Sequence, residues 1–238
     1  AFGTASTLVA FYSAGSLIAT LVREVRMVFS RAIGPVLARY HAVGDRAAMD
    51  ALVNRLSRLS FTIALPIGLA VGIFRSELLQ LVDPSFNMDS DFFVLLLVSP
   101  LASCAIGFMG NTLTYTGHTT VGLFNVMGAT ALNLVLNVLW IPPYGLLGAA
   151  MATALTALAF QFVQTVQVRR LEGVILRWRD IRYPVLAGVL PVALWLALEF
   201  EGVLSSFLLR LAAALGLLAL YTLGLRVTGL PEFPLRKR

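Results

Sequence analysis

Cysteine, lysine and histidine are almost missing from this chain. Among 238 residues there is one cysteine, Cys104, one lysine, Lys237, and two histidines, His41 and His118. A lone cysteine excludes an intrachain disulfide and leaves too few thiolates for a structural zinc site. The two histidines stand far apart in sequence without carboxylates at ligand spacing, so no metal site is expected. Acidic residues number only 12, and charged residues make up 13% of the chain. No nucleophile–base–acid set, phosphate-cradling glycine loop or ATPase motif can be assembled, so the chain reads as a non-enzyme that needs no cofactor. The net charge of +6 does not point to nucleic acid. The basic residues are spread over separate segments, with no basic–aromatic stripe.

Apolar surface is what the chain has in excess. Hydrophobic residues make up 58% and the mean hydropathy is +0.85, outside the range of a soluble domain. A membrane-spanning helix needs about 20 mostly apolar residues. Seven stretches qualify, roughly 4–30, 60–82, 91–115, 120–141, 145–168, 183–200 and 203–226. Asp83-Pro84, Pro142-Pro143 and Glu201-Gly202 stop helices, and Tyr183-Pro184 starts one. Pro66, Pro100 and Pro191 fall inside spans, where neighbouring helices or waters satisfy the freed carbonyl.

The arginines sort by these segments. Arg31, Arg39, Arg46, Arg55 and Arg58 fall in one connection, Arg169, Arg170, Arg177, Arg179 and Arg182 in another, and Arg226, Arg236, Lys237 and Arg238 at the end. The intervening connections hold Arg75 with Glu77, Asp83, Asp89, Asp91, Glu199 and Glu201. Retention of positive charge inside places the Arg-rich connections and the C-terminus in the cytoplasm. The first span then starts outside. That is natural for a fragment preceded by an odd number of spans, since Ala1 opens the chain and no basic segment marks a signal peptide. Within the 31–58 connection, Asp45 is an N-cap candidate. Met49, Leu52, Val53, Leu56 and Leu59 recur at helical spacing, which predicts an amphipathic helix at the cytoplasmic membrane interface.

Several motifs resemble the multidrug/oligosaccharidyl-lipid/polysaccharide (MOP) exporter superfamily. Pro35 followed by Gly44-Asp45, with Phe29, Leu37 and Tyr40, is similar to its P-x8-G-D cytoplasmic loop. Arg58 with Leu65-Pro66, the exit Leu78–Val82 with Phe86, and the turn Thr116-Gly117-His118 continue the likeness. Asn133–Asn137, Ile141-Pro142 and Tyr144-Gly145-Leu146-Leu147-Gly148-Ala149-Ala150 are similar to its N-x3-N…I-P…x-G-x2-G-A-A signature. The pattern looks most like the polysaccharide or lipid-linked oligosaccharide flippases, over about residues 1–170. The resemblance implies an all-α polytopic bundle of about seven spans, a MATE-like C-terminal lobe plus two extra helices. Residues 1–170 would supply the lobe's spans without its first helix. Residues 171–182 would form a cytoplasmic Arg-rich loop, 183–226 two additional spans, and 227–238 a basic cytoplasmic tail.

Arg23, Arg26 and Arg210 are the arginines left inside spans. An arginine at the centre of a helix in hydrocarbon costs about 2.5–3.5 kcal/mol on insertion scales, so each calls for a cavity, a partner or a functional site. Arg23 and Arg26 are three apart and share a face, with Glu24 about 100° from Arg23. In the flippase branch such residues imply contact with the diphosphate of a polyprenyl-linked sugar, which the planar guanidinium fork suits. The candidate substrate ligands are Arg23 and Arg26, with Glu24 holding or releasing an arginine and Arg31 at the inner mouth. Snorkelling of Arg23 and Arg26 to lipid headgroups is the competing reading. For Arg210, snorkelling or pairing with Glu199 or Glu201 is expected. Asn111, Asn133, Asn137 and Gln161 could line a polar cavity, although interhelical hydrogen bonds are the commoner use of such residues.

The expected function is alternating access that carries a lipid-linked oligosaccharide across the plasma membrane for cell-surface polysaccharide biosynthesis. Membrane lipids, and a glycan polymerase or glycosyltransferases, would be its partners. The alternatives are a cation-coupled multidrug exporter, for which a membrane-embedded carboxylate other than Glu24 is lacking, and a non-transporting scaffold of a glycan assembly complex.

Overall fold

A computed structural model of the chain describes residues 2–83, 92–200 and 207–228. The expectations at Pro84, Phe86, Asp89, Asp91, Glu201-Gly202 and Arg236–Arg238 lie outside these residues, as does the side chain of Glu199. The described residues form eight helices: α1 (Phe2–Ala42), α2 (Arg46–Ile73), α3 (Arg75–Val82), α4 (Phe92–Ile106), α5 (Phe108–Tyr115), α6 (Thr119–Leu171), α7 (Trp178–Phe200) and α8 (Phe207–Thr228).

The count of about seven spans in a MATE-like lobe with two extra helices is corrected. Among the described residues three helices, α2, α6 and α8, are long and apolar enough to cross a membrane. A fourth is reached only if α4 and α5, bent by 53° at Gly107, act as one. The stretch 60–82 breaks at Phe74, between α2 and α3. The described apolar part of α7 is short, Ile181–Trp195. The two stretches 120–141 and 145–168 are the two arms of α6, which departs from helical geometry at Gly145 (φ 57°, ψ −132°). A straight helix would hold residues 125 and 167 about 63 Å apart. Instead Asn125 and Gln167 exchange side-chain hydrogen bonds in both directions, one of them at 2.9 Å. The two arms of α6 therefore run antiparallel. Gly145 makes the reversal because its φ is open only to glycine at low cost.

The 31–58 region also differs from its reading as a membrane-interface segment. Helix α1 continues through Pro35 to Ala42, and α2 follows after a turn whose Gly44 has φ 72°. Asp45 caps α2 by accepting from the Ala48 amide at 2.9 Å. Met49 and Val53 are fully buried among Ile33, Leu37, Phe108, Met109, Leu113 and Val168. The apolar face is thus covered by protein.

A second core joins α1, α2 and α4 through Phe11, Ile18, Val22, Ala64, Phe93, Leu96 and Cys104. Helices α7 and α8 attach to α2 through Trp195 and Leu217 on Leu69 and Ile73, and through Tyr221 and Ala187 near Leu65. One contact there has a specific cause. Pro66 lacks the amide that would bond the Thr62 carbonyl one turn earlier. The Tyr221 hydroxyl donates to that carbonyl at 3.0 Å. The freed acceptor expected at Pro66 is satisfied by a neighbouring helix.

Candidate functional site

Helix α1 brings Ser16, Thr20 and Arg23 to one face by spacings of four and three residues. This face meets α4 at Ser99 and Pro100 and the second arm of α6 at Thr153, around a pocket of about 160 Å³. The approach is close because Gly15 has no side chain; a Cβ there would lie 3.2 Å from Phe93. Tyr12 fixes the third wall, sharing a 2.9 Å hydrogen bond with Thr153. Pro100 interrupts the ladder of α4 beside the pocket, since it cannot donate to Leu96, which also lines it.

Arg23 is exposed on this pocket, and among the described residues no hydrogen bond or ion pair holds it. Arg26 behaves differently. Its Nη1 donates to the Gly107 carbonyl at 3.2 Å and to Asn111 Oδ1 at 3.3 Å. The seat exists because residue 107 is glycine, where an added Cβ would lie 2.8 Å from Arg26 Cδ. The bend between α4 and α5 thus supplies an acceptor to an arginine inside the bundle. The seat is incomplete: Arg26 Nε and Asn111 Nδ2 are buried without a partner among the described residues. The guanidinium Nε–H and the Asn111 amide N–H can both donate to an oxyanion.

The remaining candidates divide. Glu24 and Arg31 are exposed, and no ion pair joins Glu24 to Arg23 or Arg26 among the described residues. Asn133 donates to Thr156 Oγ1 at 3.4 Å and accepts from Asn137 at 2.9 Å, which ties them into the α6 hairpin. Gln161 is buried in the second arm, and its carbonyl accepts from Thr165. Only Asn111 joins an arginine. Arg210 meets Glu77 at 2.9 Å and Ser76, both on α3. Ser16, Thr20, Ser99 and Thr153 were missed by the sequence reading. The 16–20–23 spacing was a visible signal for two of them; Ser99 and Thr153 come from distant segments.

Far from this pocket, Glu172 brings together the two histidines that stand apart in sequence. Its Oε2 lies 3.1 Å from His41 Nδ1 and its Oε1 2.8 Å from His118 Nε2. Among the described residues no group of three or more such side chains could hold a metal ion.

Together the helical architecture and the apolar candidate spans define a polytopic membrane protein. No family model matches the chain, and no solved structure matches it. The chain is similar to the probable low-salt glycan biosynthesis flippase Agl15 of Haloferax volcanii, at 22% identity over 179 residues. The match covers 71% of this chain and 38% of that protein, so the chain spans well under half its relative's length.

Proposed function

We propose that this protein is a flippase of the MOP type that moves a polyprenyl-diphosphate-linked oligosaccharide across the plasma membrane for cell-surface glycan assembly. The carrying observation is the pairing of Arg23, which has no partner among the described residues, with a hydroxyl-lined pocket, near Arg26 and Asn111 and their donors unmatched among those residues. A diphosphate presents several anionic oxygens to such donors, and charge-assisted bonds of this kind are roughly twice as strong as neutral ones. The polar head would use this pocket while the polyprenyl chain stays in lipid. The curated relative carries a flippase name, which supports the same direction. Glu24 is exposed beside two arginines, a poor setting for a cation site, so the multidrug-exporter reading gains nothing. The Arg-rich connections and the C-terminus face the cytoplasm in this reading.

Complementation of a strain lacking the gene tests the proposal. The Arg23→Ala variant should be inserted at wild-type abundance yet fail to restore surface glycan. Full restoration by this variant overturns the proposal.

A further inference from the structure

Beyond transport itself, the geometry points to a proton-sensing latch built from His41, Glu172 and His118. His41 lies in the last turn of α1, His118 caps the start of α6 and Glu172 caps its end. One carboxylate therefore closes the open end of the α6 hairpin and ties it to the helix that carries Arg23 and Arg26. The Glu172 side chain is 5% exposed, whereas those of His41 and His118 are 44% and 32% exposed. A buried carboxylate depends on its donors, and here imidazoles accessible to protons supply them.

The chain directly after Glu172 is fastened as well. Asn54 donates to the Ile175 carbonyl at 2.9 Å and accepts from the Arg177 amide at 2.7 Å, as a neighbouring strand would. Asp50 accepts from the Ile175 amide at 2.9 Å and pairs with Arg177. These contacts hold the segment after Glu172 against α2.

Other charged or titratable groups meet at this end. Arg39 and Tyr40 stand on α1, Asp45 and Arg46 at the start of α2, Tyr115 on α5, and Arg169 and Arg170 in the last turn of α6. Arg46 extends along Gly173. Asp45 is occupied by the Ala48 amide and Asp50 by Arg177. Glu172 is therefore the carboxylate that faces both imidazoles. Imidazole is the side chain whose ordinary titration falls between about pH 5 and 8. Protonation turns each contact into a bond between opposite charges, which is stronger than its neutral form. The latch tightens in acid and loosens as pH rises, releasing the end of α1 from the hairpin.

Spin labels at Ala38→Cys on α1 and Thr120→Cys on α6, with Cys104→Ser, read this directly in the full chain in lipid nanodiscs. The distance distribution should be narrow at pH 5.5 and broaden or lengthen at pH 8. It should become insensitive to pH when His41→Gln and His118→Gln are combined, and broad at both pH values with Glu172→Gln. A wild-type distribution that does not change with pH overturns the latch. A pH response that survives the double histidine substitution overturns it equally.

Discussion

Three arginines lie within the apolar stretches, and their surroundings separate their roles. Arg210 has a carboxylate at 2.9 Å, and Arg26 has a carbonyl and an amide oxygen. Arg23 has no such partner among the described residues. A bond from a charged donor contributes about 1.5–3 kcal/mol. Removing Arg26 should therefore lower stability, whereas removing Arg23 should not. In thermal unfolding of the purified protein, Arg26→Ala should melt several degrees below wild type and Arg23→Ala should stay within about a degree, following the scaling of melting temperature with stability. Equal losses for both would mean that Arg23 is also a structural residue. The three-residue spacing placed both side chains on one face, as the helix geometry requires. It could not separate them, because the seat of Arg26 depends on a bend at Gly107 and on Asn111 from another helix.

At the level of single helices, Pro66 and Tyr221 form a testable unit. Tyr221→Phe leaves the Thr62 carbonyl without its donor and should cost about 1–3 kcal/mol. Pro66→Ala restores an amide that can bond that carbonyl, so the cost of Tyr221→Phe should shrink in the Pro66→Ala background. A double-mutant cycle on unfolding free energies measures this coupling; strict additivity would remove Tyr221 from the role. Gly145→Ala should destabilise by about 1–3 kcal/mol, because its backbone conformation is strained for any residue with a Cβ. The cap at Asp45 was legible, whereas the helix stop expected at Pro142-Pro143 falls instead at Gly145, with both prolines inside α6. The number of spans was not legible. Apolar length alone cannot register the break at Phe74 between α2 and α3 or the bend at Gly107. The burial of Met49 and Val53 was equally hidden, since an amphipathic pattern does not say whether lipid or protein covers it.

Across the whole molecule, the end where α1 meets α2 gathers Arg39, Arg46, Arg169, Arg170 and Arg177 near Glu172 and Asp50. The opposite end of α2 carries Arg75 and Glu77, with Arg210 beside them. The asymmetry seen along the sequence is thus also an asymmetry between two ends of the bundle. Our orientation places the first end in the cytoplasm. Cysteines introduced at Val43 and Ile175 should react with a membrane-impermeant maleimide in inside-out vesicles and not in intact cells. The reverse pattern would invert the topology. In the proposed function Arg23, which has no partner among the described residues, is the group that meets the substrate's anionic head. The most direct measurement is the affinity of the full protein in nanodiscs for a polyprenyl diphosphate bearing no sugar, for wild type and Arg23→Ala. Loss of one charged contact predicts a drop of about 10- to 100-fold for Arg23→Ala, with Arg23→Lys in between. An unchanged affinity in Arg23→Ala would contradict the assignment of this pocket to the diphosphate.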